Sequence, residues 1–173
     1  EVLKDAQNKR ITGFGRYAGI VGAYNGFLTY GLQTKSFELK PAHLCHDRKE
    51  VESELKKVKL PSNFRCVLTG FGKVGHGARE IISLLPIKEV SAESFLNDTH
   101  LEPVFTHLDT HQYFARKADN GFDKADFYAN PENYKSNFEA FAQIADMYIP
   151  CHFWSAKSPL ILTQDMLRSA QNR

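Results

Sequence analysis

The chain is short of cysteine, of clustered charge and of long apolar runs, and each shortage closes off a class of protein. Its 173 residues include three cysteines, Cys45, Cys66 and Cys151. An odd number without C-x-x-C spacing gives no disulfide framework, and reduced thiols fit a cytoplasmic setting. His43-x-Cys45-His46 has no second ligand pair at a supporting distance, so no metal site is expected. Lysine and arginine total 22 against 20 acidic residues, a net charge of +2, and the charges are scattered. That balance leaves no electrostatic footprint for nucleic acid or an anionic membrane surface. No apolar run is long enough to span a bilayer, and no signal-peptide pattern is read at the start. What remains is ordinary for a globular protein, 42% hydrophobic and 24% charged, with the length of one domain or one domain plus an appended element.

The informative stretch is Arg65–Ala78, R-C-V-L-T-G-F-G-K-V-G-H-G-A. The apolar run Cys66-Val67-Leu68 leads into Gly70-x-Gly72-x-x-Gly75, and a segment with helical spacing follows through Ile82. Strand, tight turn and helix in that order are what a dinucleotide site requires. The first glycine makes the turn, the second lets the main chain approach a pyrophosphate, and the third lets helix and strand pack closely. The helix then offers unpaired N–H groups and the positive end of its dipole. A bare glycine pattern is common, and here it is the flanking strand and helix that separate the binding turn from a structural one.

Upstream, Ile11–Gly15 reads as a short strand running into a glycine turn. Ala18–Leu32 reads as a buried helix rich in glycine and alanine. Each interior glycine costs about 1 kcal/mol relative to alanine, so a smooth face at i, i+3, i+4 implies close approach by another backbone, clamping this domain to something else. His46–Lys59, with Val51, Leu55 and Val58 at helical spacing, is an exposed amphipathic helix. Downstream, the first helix runs to about Leu85, where Pro86 stops it. Lys88–Ser91 is a short strand, Glu93–Asn97 a helical turn, and Pro103–Leu108 a stronger strand ending at Asp109. Residues 110–130 read as an inserted, partly looped segment. Asn130-Pro131 opens a helix to Ile144 with Tyr134, Phe138, Phe141 and Ala142 inward. Met147–Cys151 is a fourth strand, and Thr163-Gln164-Asp165 caps a last helix.

The fold class is therefore α/β, a Rossmann-type parallel sheet with helices on both faces, preceded by a Gly/Ala-rich connecting helix. Residues 1–60 form the connecting part and 61–173 the dinucleotide-binding domain. The sheet stops after its fourth strand, which reads as a piece of a longer enzyme.

Four segments together, G-F-G-R-Y-A-G-I-V-G-A-Y-N at 13–25, G-F-G-K-V-G-H-G-A at 70–78, F-D-K-A-D-F-Y-A-N-P-E-N-Y at 122–134 and A-D-M-Y-I-P-C-H-F-W at 145–154, resemble the lysine-ketoglutarate reductase and saccharopine dehydrogenase group of the alanine dehydrogenase and transhydrogenase superfamily. The likeness covers nearly the whole chain. It implies an oxidoreductase that joins lysine to 2-oxoglutarate through an imine reduced by a nicotinamide cofactor, or oxidises saccharopine in reverse. It also implies two domains about a cleft, with the acid–base lysine and histidine in an amino-terminal half that would precede Glu1. On that reading this chain binds cofactor and is inactive alone, its substrate being held with the missing domain and a homo-oligomer remaining open. The alternatives are the cofactor domain of an alanine-dehydrogenase-type enzyme and a non-catalytic dinucleotide-binding module.

Gly70, Gly72 and Gly75 are assigned to the pyrophosphate turn, with the N–H groups of Phe71, Lys73 and Val74 beside them. Lys73 either adds charge to a phosphate or is a solvated lysine. The ribose carboxylate should follow the second strand. Glu89 and Glu93 have the spacing, and Asp109 takes the role if Lys88–Ser91 is an inserted element. An acid there favours NAD over NADP. The resemblance places Cys151 and His152, after the fourth strand, against the cofactor; a packed strand end is the alternative. Arg16 is a candidate for an anionic substrate or, failing that, a surface ion pair. His107 and His111 flank Asp109, but an acid–base set needs a geometry that spacing cannot supply.

Overall fold

The computed structural model describes residues 3–8 and 10–170. Near the start, Lys4 and Arg10 form an isolated antiparallel bridge. Residues 11–14 are not a strand, and helix α1 begins at once, Gly15–Thr34. This helix is not buried all round: Gly19, Ile20, Ala23, Tyr24, Phe27 and Gly31 face inward, while Tyr17, Val21 and Leu32 stay exposed. Helix α2, Arg48–Leu55, is capped by Asp47, whose carboxylate accepts from the Glu50 N–H at 2.9 Å. As its pattern predicts, Leu55 and Val58 are buried and Val51 half-buried.

Strand β1, Arg65–Thr69, then runs through the turn into helix α3, Lys73–Ile82. α3 ends before Leu85 because Ser83 closes its last turn and residues 84–87 continue in tight turns ahead of the next strand. Strand β2 is only Lys88–Glu89, and helix α4, Ala92–Asn97, follows with Ser91 as its cap. Strand β3, Val104–Leu108, is wholly buried. The order β2-β3-β1 is completed on the far side of β1 by β6, Met147–Pro150, and every pairing in this four-stranded sheet is parallel.

The stretch between β3 and β6 departs most from its sequence reading. Residues 110–130 are ordered into helix α5, Thr110–Tyr113, strand β4, Phe114–Arg116, and helix α6, Lys124–Ala129. The helix expected from Asn130 to Ile144 does not form. A 3-10 turn at Pro131–Asn133 leads into strand β5, Tyr134–Ser136, antiparallel to β4, and only Glu139–Ile144 is helical, as α7. The pairing with β4 supplies Tyr134 a buried place among Phe114, Phe122 and Phe127 that a helix on the surface would not give it. Helix α8, Gln164–Ala170, starts where predicted, with the Met166 N–H donating to the Thr163 hydroxyl at 3.3 Å.

Alternation along the strands divides the core. Cys66, Leu68 and Phe105 face α1 and α3, together with Ile20, Tyr24, Phe27, Ala78, Ile81 and Ile82. Val67, Val104 and Leu108 face Phe95 of α4, Phe141 of α7 and the aromatic cluster of the β4–β5 unit. Helices thus cover both faces of the sheet.

The smooth face of α1 finds its close partner inside the chain. A Cβ on Gly19 would lie 1.9 Å from the Val74 carbonyl oxygen, and one on Gly77 would lie 2.0 Å from that of Arg16, so α1 and α3 cross backbone to backbone. The glycines of α1 cost about 1 kcal/mol each. Full burial of Tyr24, Phe27 and their like returns roughly 1.5–3 kcal/mol per side chain, which tips the balance toward the crossing.

Candidate functional site: the crevice at the carboxyl ends of β1, β3 and β6

In a parallel sheet the strand ends open into a crevice where the chain leaves one strand in opposite directions. Here β3 lies on one side of β1 and β6 on the other, and a cavity of about 240 Å³ opens between the segments that follow all three. Gly70, Phe71 and Gly72 line it after β1, Asp109 and Thr110 after β3, and Cys151, His152 and Phe153 after β6.

The glycine turn divides its labour as the motif requires. Gly70 has φ of +93°, which only glycine adopts without strain, and a Cβ there would meet the Cys151 carbonyl oxygen at 2.7 Å. Gly75 packs helix on turn: a Cβ would stand 1.7 Å from the Gly70 carbonyl oxygen. Gly72 differs, because a Cβ there would meet nothing within 4 Å. It is the N-cap of α3 and has no side chain to satisfy the helix's first N–H groups. Open space beside uncapped donors at the positive end of a ten-residue helix is the feature that fits an anion. Lys73 and Val74 begin that helix, and Lys73 is exposed.

His107 pins the turn from below. Its Nε2 donates to the Gly70 carbonyl at 2.8 Å, and Phe71 stacks on its ring at 3.9 Å. Burial holds its pKa below the usual histidine range, against the opposing effect of that hydrogen bond, so the ring is neutral, and its Nδ1 has no partner among the described residues. His107 is therefore a support of the turn and not part of an acid–base set with Asp109. At the end of β3, Asp109 caps α5: its carboxylate accepts from the Thr110 N–H at 2.7 Å, and its own N–H donates to Gln112 at 2.7 Å. The second carboxylate oxygen lies 3.7 Å from His111 Nδ1.

Beyond β6, His152 Nδ1 lies 2.9 Å from the Thr69 hydroxyl, which is also 3.1 Å from the Tyr148 hydroxyl. Burial lowers the His152 pKa and raises that of Tyr148, so this cluster is neutral. Cys151 is half-buried, and burial pushes its thiol up to about 11, which removes it as a nucleophile.

Two candidates lie elsewhere. Glu93 sits on exposed α4, beside a separate shallow hollow with Ser91 and Ser94. The reason is sheet order: β2 is the outer strand and β3 is the neighbour of β1, so Asp109 and not Glu93 stands at the crevice beside the glycine turn. Arg16 is spoken for by Glu80, bound through a fork at 2.7 and 2.8 Å, and it does not line the crevice. Arg48 adds a third bond to Glu80 at 3.0 Å, and the two guanidinium groups hold the Glu80 carboxyl down at about 2.

Sequence reasoning missed a whole wall. Tyr113, Phe114, Phe127, Lys124 and Tyr128 line the cavity from α5, β4 and α6. The signal was present in the F-D-K-A-D-F-Y-A-N-P-E-N-Y segment, whose alternation of apolar and charged residues belongs to no surface loop.

The rat mitochondrial alpha-aminoadipic semialdehyde synthase is 27% identical to this chain over 98% of the chain's length. The Arabidopsis thaliana alpha-aminoadipic semialdehyde synthase is 28% identical over 97%, and the mouse mitochondrial protein 26% over 98%. The chain is thus similar along nearly its whole length to the alpha-aminoadipic semialdehyde synthases. These are the lysine-ketoglutarate reductase and saccharopine dehydrogenase proteins that its motifs resemble. The chain spans about a fifth of their length, 21% of the rat protein and 19% of the Arabidopsis one. No family model matches the chain. Among the described residues, no helix is long and apolar enough to cross a membrane.

Proposed function

We propose that this chain is the nicotinamide-dinucleotide-binding unit of an oxidoreductase acting on a CH–NH bond, forming or oxidising saccharopine from lysine and 2-oxoglutarate. The observation that carries the reading is the state of the glycine turn. Gly70 and Gly75 are consumed by close packing, while Gly72 and the uncapped start of α3 face the open crevice. Phe71 to Val74 would bind the pyrophosphate through main-chain N–H groups, and Asp109 would accept from a ribose hydroxyl. Cys151 and His152 would line the nicotinamide end. The bound cofactor supplies the hydride, which no side chain can supply.

The chain's own residues bind and orient but do not transfer a proton. His107 and His152 are neutral and engaged, and the Cys151 thiol is protonated at neutral pH. Acid–base groups and the lysine and 2-oxoglutarate contacts would come from another domain of the same enzyme, so this unit alone should not turn over substrate. That same absence of a transferable proton favours, as the second reading, a dinucleotide-binding module without chemistry. Asp109 supports NAD as the cofactor, with NADP the alternative. The thiols suit a reducing compartment, cytoplasmic or the mitochondrion named for the rat and mouse relatives.

Calorimetric titration of the chain with NADH and with NADPH tests the reading. Saturable heat with either supports it, and none with both at millimolar ligand overturns it. Assay of the longer enzyme with lysine plus 2-oxoglutarate, against pyruvate plus ammonia, separates the saccharopine activity from an alanine-dehydrogenase type.

A further inference from the structure

The second wall of the crevice carries a cation that the glycine turn does not account for. Helix α6 presents Lys124 and Tyr128, at i and i+4, to the cavity that Gly70 and Gly72 line from the other side. Its position is well determined. Phe127 of the same helix is buried against Phe114 with ring centroids 4.9 Å apart, and the Tyr134 hydroxyl donates to Asp126 at 2.8 Å. The carboxylates nearest in sequence are already engaged. Asp123 accepts from the Asp126 N–H at 2.7 Å, and Asp126 also takes Asn130 at 2.9 Å and stands 3.4 Å from Arg116. The other charged side chain at the cavity, Asp109, caps α5. Lys124 makes no ion pair with any described residue, whereas Arg116, Asp119 and Asp126 of the same unit pair with one another.

We propose that Lys124 is a phosphate-binding residue of the crevice, placing its ammonium on a phosphoryl group of a bound adenine nucleotide. The inference rests on the dinucleotide reading above and adds to it the one cationic side chain that lines the cavity among the described residues. An ammonium on a flexible stem suits a phosphoryl oxygen as a point charge, without the fixed fork that arginine would impose. Two phosphoryl groups are within the chemistry, the 5′-diphosphate and a 2′-phosphate, and Lys124 is assigned to whichever of them reaches the α6 wall.

Equilibrium binding of adenosine, 5′-ADP and 2′-AMP to the 173-residue chain, in wild type, Lys124→Ala and Lys124→Arg, distinguishes them. Lys124 is exposed and has no partner to lose, so both variants should melt with the wild type. The expected result is a loss of about tenfold or more in Lys124→Ala for one phosphorylated ligand, with adenosine unchanged, Lys124→Arg near wild type, and a shallower dependence on salt. Loss for 5′-ADP alone assigns the diphosphate, and loss for 2′-AMP alone the 2′-phosphate. Unchanged affinity for both phosphorylated ligands while NADH still binds overturns the role of Lys124 and leaves the dinucleotide reading standing. A wild type that binds neither NADH nor NADPH nor any of the three ligands overturns both.

Discussion

Gly72 and Gly75 belong to one motif, yet the structure predicts opposite consequences for their replacement. In Gly75→Ala the new Cβ begins 1.7 Å from the Gly70 carbonyl oxygen, where ordinary contact needs 3.4 Å, so turn and helix must part by about 1.7 Å. Both partners are main chain, and no rotamer change relieves the clash. Overpacking of this kind costs about 1–3 kcal/mol, and losing the His107 bond to Gly70 adds about 1 kcal/mol. For a domain of this size the sum lowers Tm by roughly 5–15 °C. A Cβ at Gly72 meets nothing within 4 Å and φ is −82°, so Gly72→Val should lose only about 1 kcal/mol, the preference of an N-cap for glycine over valine. Its branched side chain would occupy the space where a pyrophosphate approaches, and NADH affinity should fall at least tenfold, about 1.4 kcal/mol. Thermal melts and calorimetry on the two variants give four readings. The division of labour is refuted if Gly72→Val melts as low as Gly75→Ala, or binds NADH as tightly as the unaltered chain.

The crossing of α1 on α3 makes a parallel prediction: Gly19→Ala, with its Cβ 1.9 Å from a carbonyl oxygen, should cost about 2–3 kcal/mol, while Gly22→Ala, in open space, should be neutral or stabilising by up to about 1 kcal/mol. Equal melting temperatures for the two would mean that the helices do not meet there. His107 and His152 both have pKa values lowered by burial, so the unfolded chain binds more protons and stability should fall as pH drops below about 6.5, with a shallower fall in His107→Gln. A urea midpoint independent of pH between 7.5 and 5.5 would contradict this. Glu80, held down to about 2, contributes above pH 4.5 and loses that contribution as pH falls toward 2, so Glu80→Gln should differ from wild type at pH 7 and converge with it in acid. With its thiol near 11, Cys151 should react with a disulfide reagent at pH 8 about tenfold more slowly than an unperturbed thiol of pKa about 8.5, the loss of thiolate outweighing its greater intrinsic nucleophilicity. Modification of Cys151 at the free-thiol rate would show that burial does not protect it.

The glycine turn was legible because its constraints are local: φ of Gly70, the loss of a Cβ at Gly75 and the strand before them all lie within eleven residues of chain. The same holds for β3, a nearly continuous apolar run, and for the capped start of α8. Residues 130–144 misled because Pro131 in a first turn and aromatics at 134, 138 and 141 satisfy a helix as well as they do a surface packed from two directions. What decided for a strand was β4, eighteen or more residues earlier, whose register sets Tyr134 opposite Arg116.

Sequence alone determined that a parallel α/β unit carries a glycine turn between a buried strand and the helix after it, since backbone sterics and hydrophobic period are written into neighbouring residues. Only tertiary structure decided which carboxylate stands at the crevice, because that depends on β3 and not β2 lying beside β1. It also decided that Arg16 is spent on Glu80 and that Lys124, at the cavity wall, has no ion-pair partner among the described residues. Partner choice among charges is a contest between groups far apart in the chain, and it is settled when packing fixes which of them can meet.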